Sequence, residues 1–189
     1  MGDEMMDCKP LIRQRGWTLL EASVVLAVIA ALVGVAASGI GNAIQAARAL
    51  EARSALLSVL TTARSRAAYL EADVGLCPSL DGKTCAASFR WESGWIAYAD
   101  RNGSGRLDPS DPIVARHGPL GAGVAIATSS GRKLLEFQPA GSNGGSNATF
   151  TICDRRGRAR ATAIAMGNIG TYRTVKPTRA GLDAACAAD

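Results

Sequence analysis

The sequence predicts an α+β chain: a long N-terminal α-helix, transmembrane in its first half, packed on an antiparallel β-sheet domain. Three observations carry this. Residues 22–47 contain no charged side chain, a helical pattern continues beyond them to about Ala72, and from Gly75 onward Gly and Pro punctuate short strand-like runs. With 189 residues, 48% hydrophobic and 20% charged, the composition excludes wholesale disorder and collagen-like repetition. The mean hydropathy of +0.10 averages one lipid-like segment with an otherwise ordinary soluble domain. A single histidine, His117, removes most histidine-based metal sites and His-centred triads. No nucleophile, base and orienting group come together in one motif, so neither catalysis nor a cofactor is expected.

The first sixteen residues, MGDEMMDCKPLIRQRG, carry the acids Asp3, Glu4 and Asp7 and the bases Lys9, Arg13 and Arg15, with the bases nearest the apolar run. That asymmetry predicts a cytoplasmic N-terminus by the positive-inside rule. The run WTLLEASVVLAVIAALVGVAASGI exceeds the ~20 residues that a helix needs to cross the hydrocarbon core. Its one acid is Glu21. A carboxylate at the centre of a span costs about 2.5 to 3.5 kcal/mol, and less near the interface, so Glu21 calls for a partner. An ordinary secretory signal cut at Val35-Ala36-Ala37 would leave a chain starting at Ser38 and give Glu21 no purpose.

Gly16-Trp17-Thr18-Leu19-Leu20-Glu21, preceded by bases and followed by an apolar helix, resembles the class III signal of type IV pilins and pseudopilins, with Trp17 where that pattern usually has Phe. The resemblance implies a prepilin leader over residues 1–16, removed by a prepilin peptidase between Gly16 and Trp17, with N-methylation of Trp17. It implies a transmembrane and assembly segment over residues 17–44, and a periplasmic globular domain over residues 45–189. The physical logic is direct. Cleavage creates an amine at Trp17, and an assembling neighbour can offer its amine to the buried Glu21, neutralising both charges in a low-dielectric bundle. The implied location is the bacterial inner membrane, single pass, and then the pilus or cell surface. The implied partners are other pilins or pseudopilins in a filament.

Past the span, Ile44, Ala47, Leu50, Leu57, Leu60 and Ala67 suggest an apolar stripe, with Arg48, Arg53, Arg64 and Arg66 elsewhere. Gly34, Gly39 and Gly41 can loosen the apolar half. Strand-like runs then follow in order: SFRWESGWIAYAD, DPIVARHGP, GVAIATS, KLLEFQPAG, ATFTICD, RARATAIAM and TYRTVKP. The stretch GSNGGSN at residues 141–147 reads as a flexible loop. The loop from Asp100 to Asp111 has oxygen donors at positions 1, 3, 5, 9 and 12 and Gly at 6, a spacing that imitates an EF-hand calcium loop. Its short final Asp, its two arginines and the strand-like segment before it favour a plain hairpin turn. Trp91 and Trp95 read as packing residues rather than ligand stackers.

Cys8 falls in the leader, which leaves Cys77, Cys85, Cys153 and Cys186 in a domain facing an oxidising compartment. Two disulfides are expected, with three connectivities open. Cys77 with Cys85 closes a short loop and Cys153 with Cys186 ties the C-terminal tail to a strand, which makes that pairing the favoured one. A zinc site would want a CxxC pair, which is absent from the sequence, so no metal is expected.

The series WxxGWxxYxDxNxxGxxD from Trp91, FxPxG from Phe137 and FTICDxRGRAR from Phe150 resembles the GspH/FimT branch of minor pilins and pseudopilins. The resemblance implies the type IV pilin-like fold and two functions. FimT-like members are minor type IV pilins linked to DNA binding in natural transformation, and GspH-like members are structural subunits of the type II secretion pseudopilus. Residues 151–180 hold Arg155, Arg156, Arg158, Arg160, Arg173, Lys176 and Arg179 against Asp154, a net +6 that accounts for the whole chain's +5. Gly157-Arg158-Ala159-Arg160 matches the G-R-x-R pattern of the FimT-like DNA binders, which assigns Gly157, Arg158 and Arg160 to DNA. The other five bases join them on charge alone. On a strand, Arg158 and Arg160 would share one face. Such contacts read phosphate charge rather than base sequence. The rival reading is a solvated or protein-facing basic surface on a secretion subunit.

Overall fold

The computed structural model describes residues 16–129 and 132–186. Cys8 and the other residues expected to form a leader before Gly16 lie outside them. The described chain forms α1 (Leu19–Leu70), β1 (Asp73–Pro78), β2 (Trp95–Asp100), β3 (Ile113–His117), β4 (Val124–Thr128), β5 (Leu135–Phe137), β6 (Ala148–Asp154), a 3₁₀ turn (Arg158–Arg160), β7 (Thr162–Met166), β8 (Tyr172–Val175) and α2 (Arg179–Ala185). Two units are distinguished, Met1–Ile40 and Gly41–Asp189.

In the first unit, Leu19, Leu20, Val24, Leu26, Val28, Ile29, Leu32 and Val33 are all exposed, so the helix is apolar all round there. It is long and apolar enough to cross a membrane. Thr18 starts it, its hydroxyl accepting from the Glu21 amide at 3.2 Å.

In the second unit, α1 buries Ala52, Leu56, Leu60, Ala63 and Ala67 at spacings of three and four, with Val59 beside them. This corrects the stripe expected from the sequence. Leu60 and Ala67 belong to it, but Ile44, Ala47 and Leu50 are exposed and Leu57 is only partly buried. Apolar residues stand on every side of this segment, so spacing alone does not choose among faces. Packing selects the face whose alanines let the sheets approach. Arginines flanking the stripe fasten the helix to the strands and loops. Arg48 donates to the Ala122 carbonyl at 2.9 Å, Arg53 to the Thr174 hydroxyl at 2.7 Å, and Arg64 to the Gly170 carbonyl at 3.1 Å. Past Leu70, Glu71 takes a left-handed φ of 50° and turns the chain into β1.

All strand pairs are antiparallel, and they divide into two four-stranded sheets, β3-β2-β1-β5 and β4-β6-β7-β8. The α+β class with the helix on antiparallel sheet therefore holds. The chain visits the first sheet with β1 to β3, the second with β4, the first again with β5, and finishes in the second. One core joins the α1 stripe to Val74, Leu76, Ala97 and Phe137 of the first sheet and to Ile126, Phe150, Ile152 and Ile164 of the second. Trp91 and Trp95 are fully buried in it. The Trp91 indole donates to the Thr128 hydroxyl at 3.3 Å and meets Phe150 edge-on at 5.3 Å.

Several local predictions change, since SFRWESGWIAYAD forms a strand only from Trp95 and β1 (Asp73–Pro78) lies ahead of every predicted run. RARATAIAM is not one strand, since its first three residues form the 3₁₀ turn and β7 starts at Thr162. The C-terminal segment adds α2, capped by Thr178, whose hydroxyl accepts from the Gly181 amide at 3.1 Å. The disulfides are Cys77–Cys85 and Cys153–Cys186.

Candidate nucleic-acid interface

The basic turn is built from the end of β6. Asp154 is the last residue of that strand and is buried. Its carboxylate accepts from the Arg156 amide at 2.8 Å, from Arg156 Nε at 2.9 Å and, through Oδ2, from Arg156 Nη2 at 2.7 Å. Burial alone would raise the Asp154 pKa, but the hydrogen bonds and charge of Arg156 outweigh it and hold the carboxyl below its ordinary value. The same pairing raises Arg156. This arginine is committed to holding the turn.

Gly157 then donates its amide to the Asp154 carbonyl at 2.9 Å and adopts φ 85°, ψ −178°, a region essentially reserved for glycine. A Cβ there would meet nothing within 4 Å, so the backbone angle and not the space requires glycine. The 3₁₀ turn follows, with the Arg160 amide on the Gly157 carbonyl at 3.0 Å. With about three residues per turn, positions 158 and 160 are separated by roughly 240° around the axis. Arg158 and Arg160 therefore do not share a face as they would on a strand. Arg158 turns toward α2, where Nη2 meets Asp183 Oδ1 at 2.7 Å, and Arg160 is exposed.

Antiparallel pairing gathers most of the predicted bases at one end of the second sheet. The end of β6, the start of β7 and the end of β8 meet there, since Ile152 pairs with Thr162 and Ala163 with Val175. Arg155, Arg156, Arg158, Arg160, Lys176 and Arg179 stand on the chain leaving or entering these strands. Arg155 lies across Gly123, whose added Cβ would fall 2.9 Å from Arg155 Cδ. Arg173 is the exception. It pairs opposite Ala165 and lines a different groove, of about 440 Å³, with Thr149 and Thr171. Among the described residues Arg156 and Arg158 are ion-paired, whereas Arg155, Arg160, Arg173, Lys176 and Arg179 are not.

Beside the turn runs an open groove of about 510 Å³, bounded by Arg155 and Arg158 on one side and by Cys186 at the end of α2. It also contains a base that sequence reasoning missed. Arg90 donates to the Ala184 carbonyl of α2 at 3.1 Å and pairs with Glu92. Nothing in the motif pattern connects Arg90 to the distant turn. Asp183 was missed as well, although it lies only three residues past the basic stretch.

Gly16 and Trp17 precede α1 and are exposed, and Glu21 is in its first turn, also exposed. In the loop between β2 and β3, the Asp100 carboxylate accepts from the Ser104 and Gly105 amides at 3.1 and 2.7 Å, and Asp111 accepts from the Asp108 amide at 2.9 Å. These oxygens close an Asx-rich turn on itself. Among the described residues no group of three His, Cys, Asp or Glu side chains is arranged to hold a metal.

Compared with known proteins, residues 52–170 match a family model described as type II transport protein GspH. No curated protein was found to match. Solved structures similar to this chain include the type IV minor pilin FimU of Pseudomonas aeruginosa strain PAO1. One of its crystal forms is 18% identical, covers 69% of this chain and 87% of that one, and has a TM-score of 0.49. A second crystal form is 18% identical over 68% and 90% of the two chains, with a TM-score of 0.48. The minor pseudopilin EpsH from the type 2 secretion system of Vibrio cholerae is 14% identical over 68% and 97%, with a TM-score of 0.47.

Proposed function

This chain belongs to the family of the type II transport protein GspH, and from that premise we propose that it is a minor type IV pilin whose basic turn binds extracellular DNA without sequence preference, supporting DNA uptake in natural transformation. The supporting observation is that Arg155, Arg160, Lys176 and Arg179, none ion-paired among the described residues, stand on segments following the strands at the end of the second sheet that carries the Gly157 turn. Guanidinium forks there are suited to phosphate oxygens, and the bare glycine admits close backbone approach. Each duplex phosphate neutralised contributes a slope of about −0.9 in log affinity against log salt.

In this reading the prepilin is stored in the inner membrane with its N-terminus cytoplasmic and is cut after Gly16 by a prepilin peptidase. Trp17 is methylated, and Glu21 receives the amine of a neighbouring pilin during assembly. Residues 17–44 serve the membrane and the filament, and residues 45–189 present the DNA-binding surface from the periplasm and then from the pilus.

The test is titration of the purified full chain in detergent with duplex DNA at several salt concentrations, beside Arg158→Ala/Arg160→Ala. The expected result is salt-sensitive binding that the double variant weakens at least tenfold, given about 1.5 to 3 kcal/mol for each charge-assisted contact. Equal binding by both proteins would defeat the site. One observation favours a second reading, the description of the matched family as a transport protein of type II secretion. In that case the chain is a structural pseudopilin whose basic surface meets protein, and the wild type would not bind DNA.

A further inference from the structure

The basic turn contains two arginine–carboxylate pairs that differ in kind. Asp154 is 2% exposed in its side chain and its partner Arg156 23%, and three hydrogen bonds join them. This pair is scaffold, because removing either partner strands the other. Arg158 and Asp183 meet through one contact at 2.7 Å, with side chains 48% and 58% exposed. A pair so open to water contributes little to stability and exchanges partners readily.

Asp183 is nevertheless placed with care. The helix α2 is fixed at its start by the Thr178 cap. Gly181 lies so close to β6 that a Cβ there would come within 2.3 Å of Thr151 Oγ1. At its end Ala185 is buried with Ala127 and Cys153, and Cys186 is bonded to Cys153. None of these contacts uses the Asp183 carboxylate. Among the described residues the carboxylate has one polar partner, the arginine of the G-R-x-R turn.

We propose that Asp183 is a tethered counter-anion that occupies Arg158 until a phosphate displaces it, and so sets the affinity and salt response of the site; this rests on the DNA-binding reading above. In the resting chain the carboxylate fills the position on Arg158 that a phosphate oxygen would take. When DNA binds, the guanidinium changes partner, and Asp183 is left facing the backbone, where it repels phosphate or recruits a cation. The exchange gives back part of the counterion release that Arg158 would otherwise supply. DNA is held loosely enough to be passed on, and bulk anions are kept off the arginine.

The experiment uses the full chain in detergent and a short fluorescent duplex, comparing wild type, Asp183→Asn, Asp183→Glu, Arg158→Ala and the Arg158→Ala/Asp183→Asn double variant across a salt series. Asp183→Asn should bind about threefold to tenfold more tightly and steepen the log–log salt slope by up to about 0.9. Asp183→Glu should bind like wild type, since it keeps the charge within reach. In the absence of Arg158 the Asp183→Asn gain should shrink to the residual effect of removing the carboxylate's own charge. The proposal is overturned if wild type binds and Asp183→Asn binds no tighter, or if its gain persists undiminished without Arg158. If no variant binds DNA, the DNA-binding reading fails and the counter-anion role falls with it.

Discussion

Gly157 and Glu136 illustrate how much of the domain's behaviour is decided by one backbone angle or one carboxyl group. With φ 85° and ψ −178°, Gly157 sits where any Cβ is strained. Gly157→Ala should cost about 1 to 3 kcal/mol in urea unfolding or, if the turn relaxes instead, re-aim the arginines and lower DNA affinity. Glu136 stands opposite Gly75, and its pKa is raised, first by burial, then by the charge and hydrogen bond of Asp73, and then by Asp100. A carboxyl with a raised folded-state pKa costs nothing below its unfolded value and destabilises progressively as pH rises through the folded one. Glu136→Gln should therefore be more stable than wild type at pH 7, with the difference in urea midpoint closing toward pH 4. Asp154 has the opposite sign. Its depressed pKa gives stability that is present above the ordinary carboxylate range and lost as pH falls through the folded value. Acid unfolding of Asp154→Asn should consequently be less steep than that of wild type. Gly75 is fixed by space, since a Cβ there would lie 2.3 Å from the buried Tyr98 ring. Gly75→Ala should lose about 1 to 3 kcal/mol as an overpacked site.

At the scale of elements, α2 connects structure to function. Its seven residues are too few to be stable alone, so it depends on the Cys153–Cys186 bond and on the close contact at Gly181. Cys153→Ser/Cys186→Ser should cost about 3 to 4 kcal/mol for the 33-residue separation. By releasing Asp183 it should also bring DNA affinity toward that of Asp183→Asn. The elements differ in how legible they were. The long helix is written in the uncharged run and the arginine-flanked repeat beyond it, and most strands are written in alternating runs between glycines and prolines. The contact face of α1 was not legible, because leucines and alanines surround the helix and only the sheets choose among them. The turn at 158–160 read as strand because RARATAIAM alternates, while the i to i+3 hydrogen bonds after Gly157 leave no trace in that pattern. The short α2 carried a usable signal, Thr178 ahead of an alanine-rich run. The division into two sheets carried none, since it depends on β5 returning to pair with β1. In the site, the charge run and the G-R-x-R motif were visible as sequence, whereas only tertiary packing brings Arg90 to the groove and Asp183 to Arg158.

For the whole molecule, the net charge of +5 is smaller than the +6 of residues 151–180 alone, so the rest of the chain is slightly acidic and attraction to a polyanion is concentrated in one region. The direct measurement is the dependence of the full chain's affinity on salt for two duplexes of unrelated sequence. Four bases at the turn, Arg155, Arg160, Lys176 and Arg179, predict a log–log slope of about −3 to −4, the same for both duplexes, falling by about 0.9 for each base removed. A slope near zero, a marked preference for one duplex, or an unchanged slope after removal of Arg155, Arg160, Lys176 and Arg179 would contradict the account.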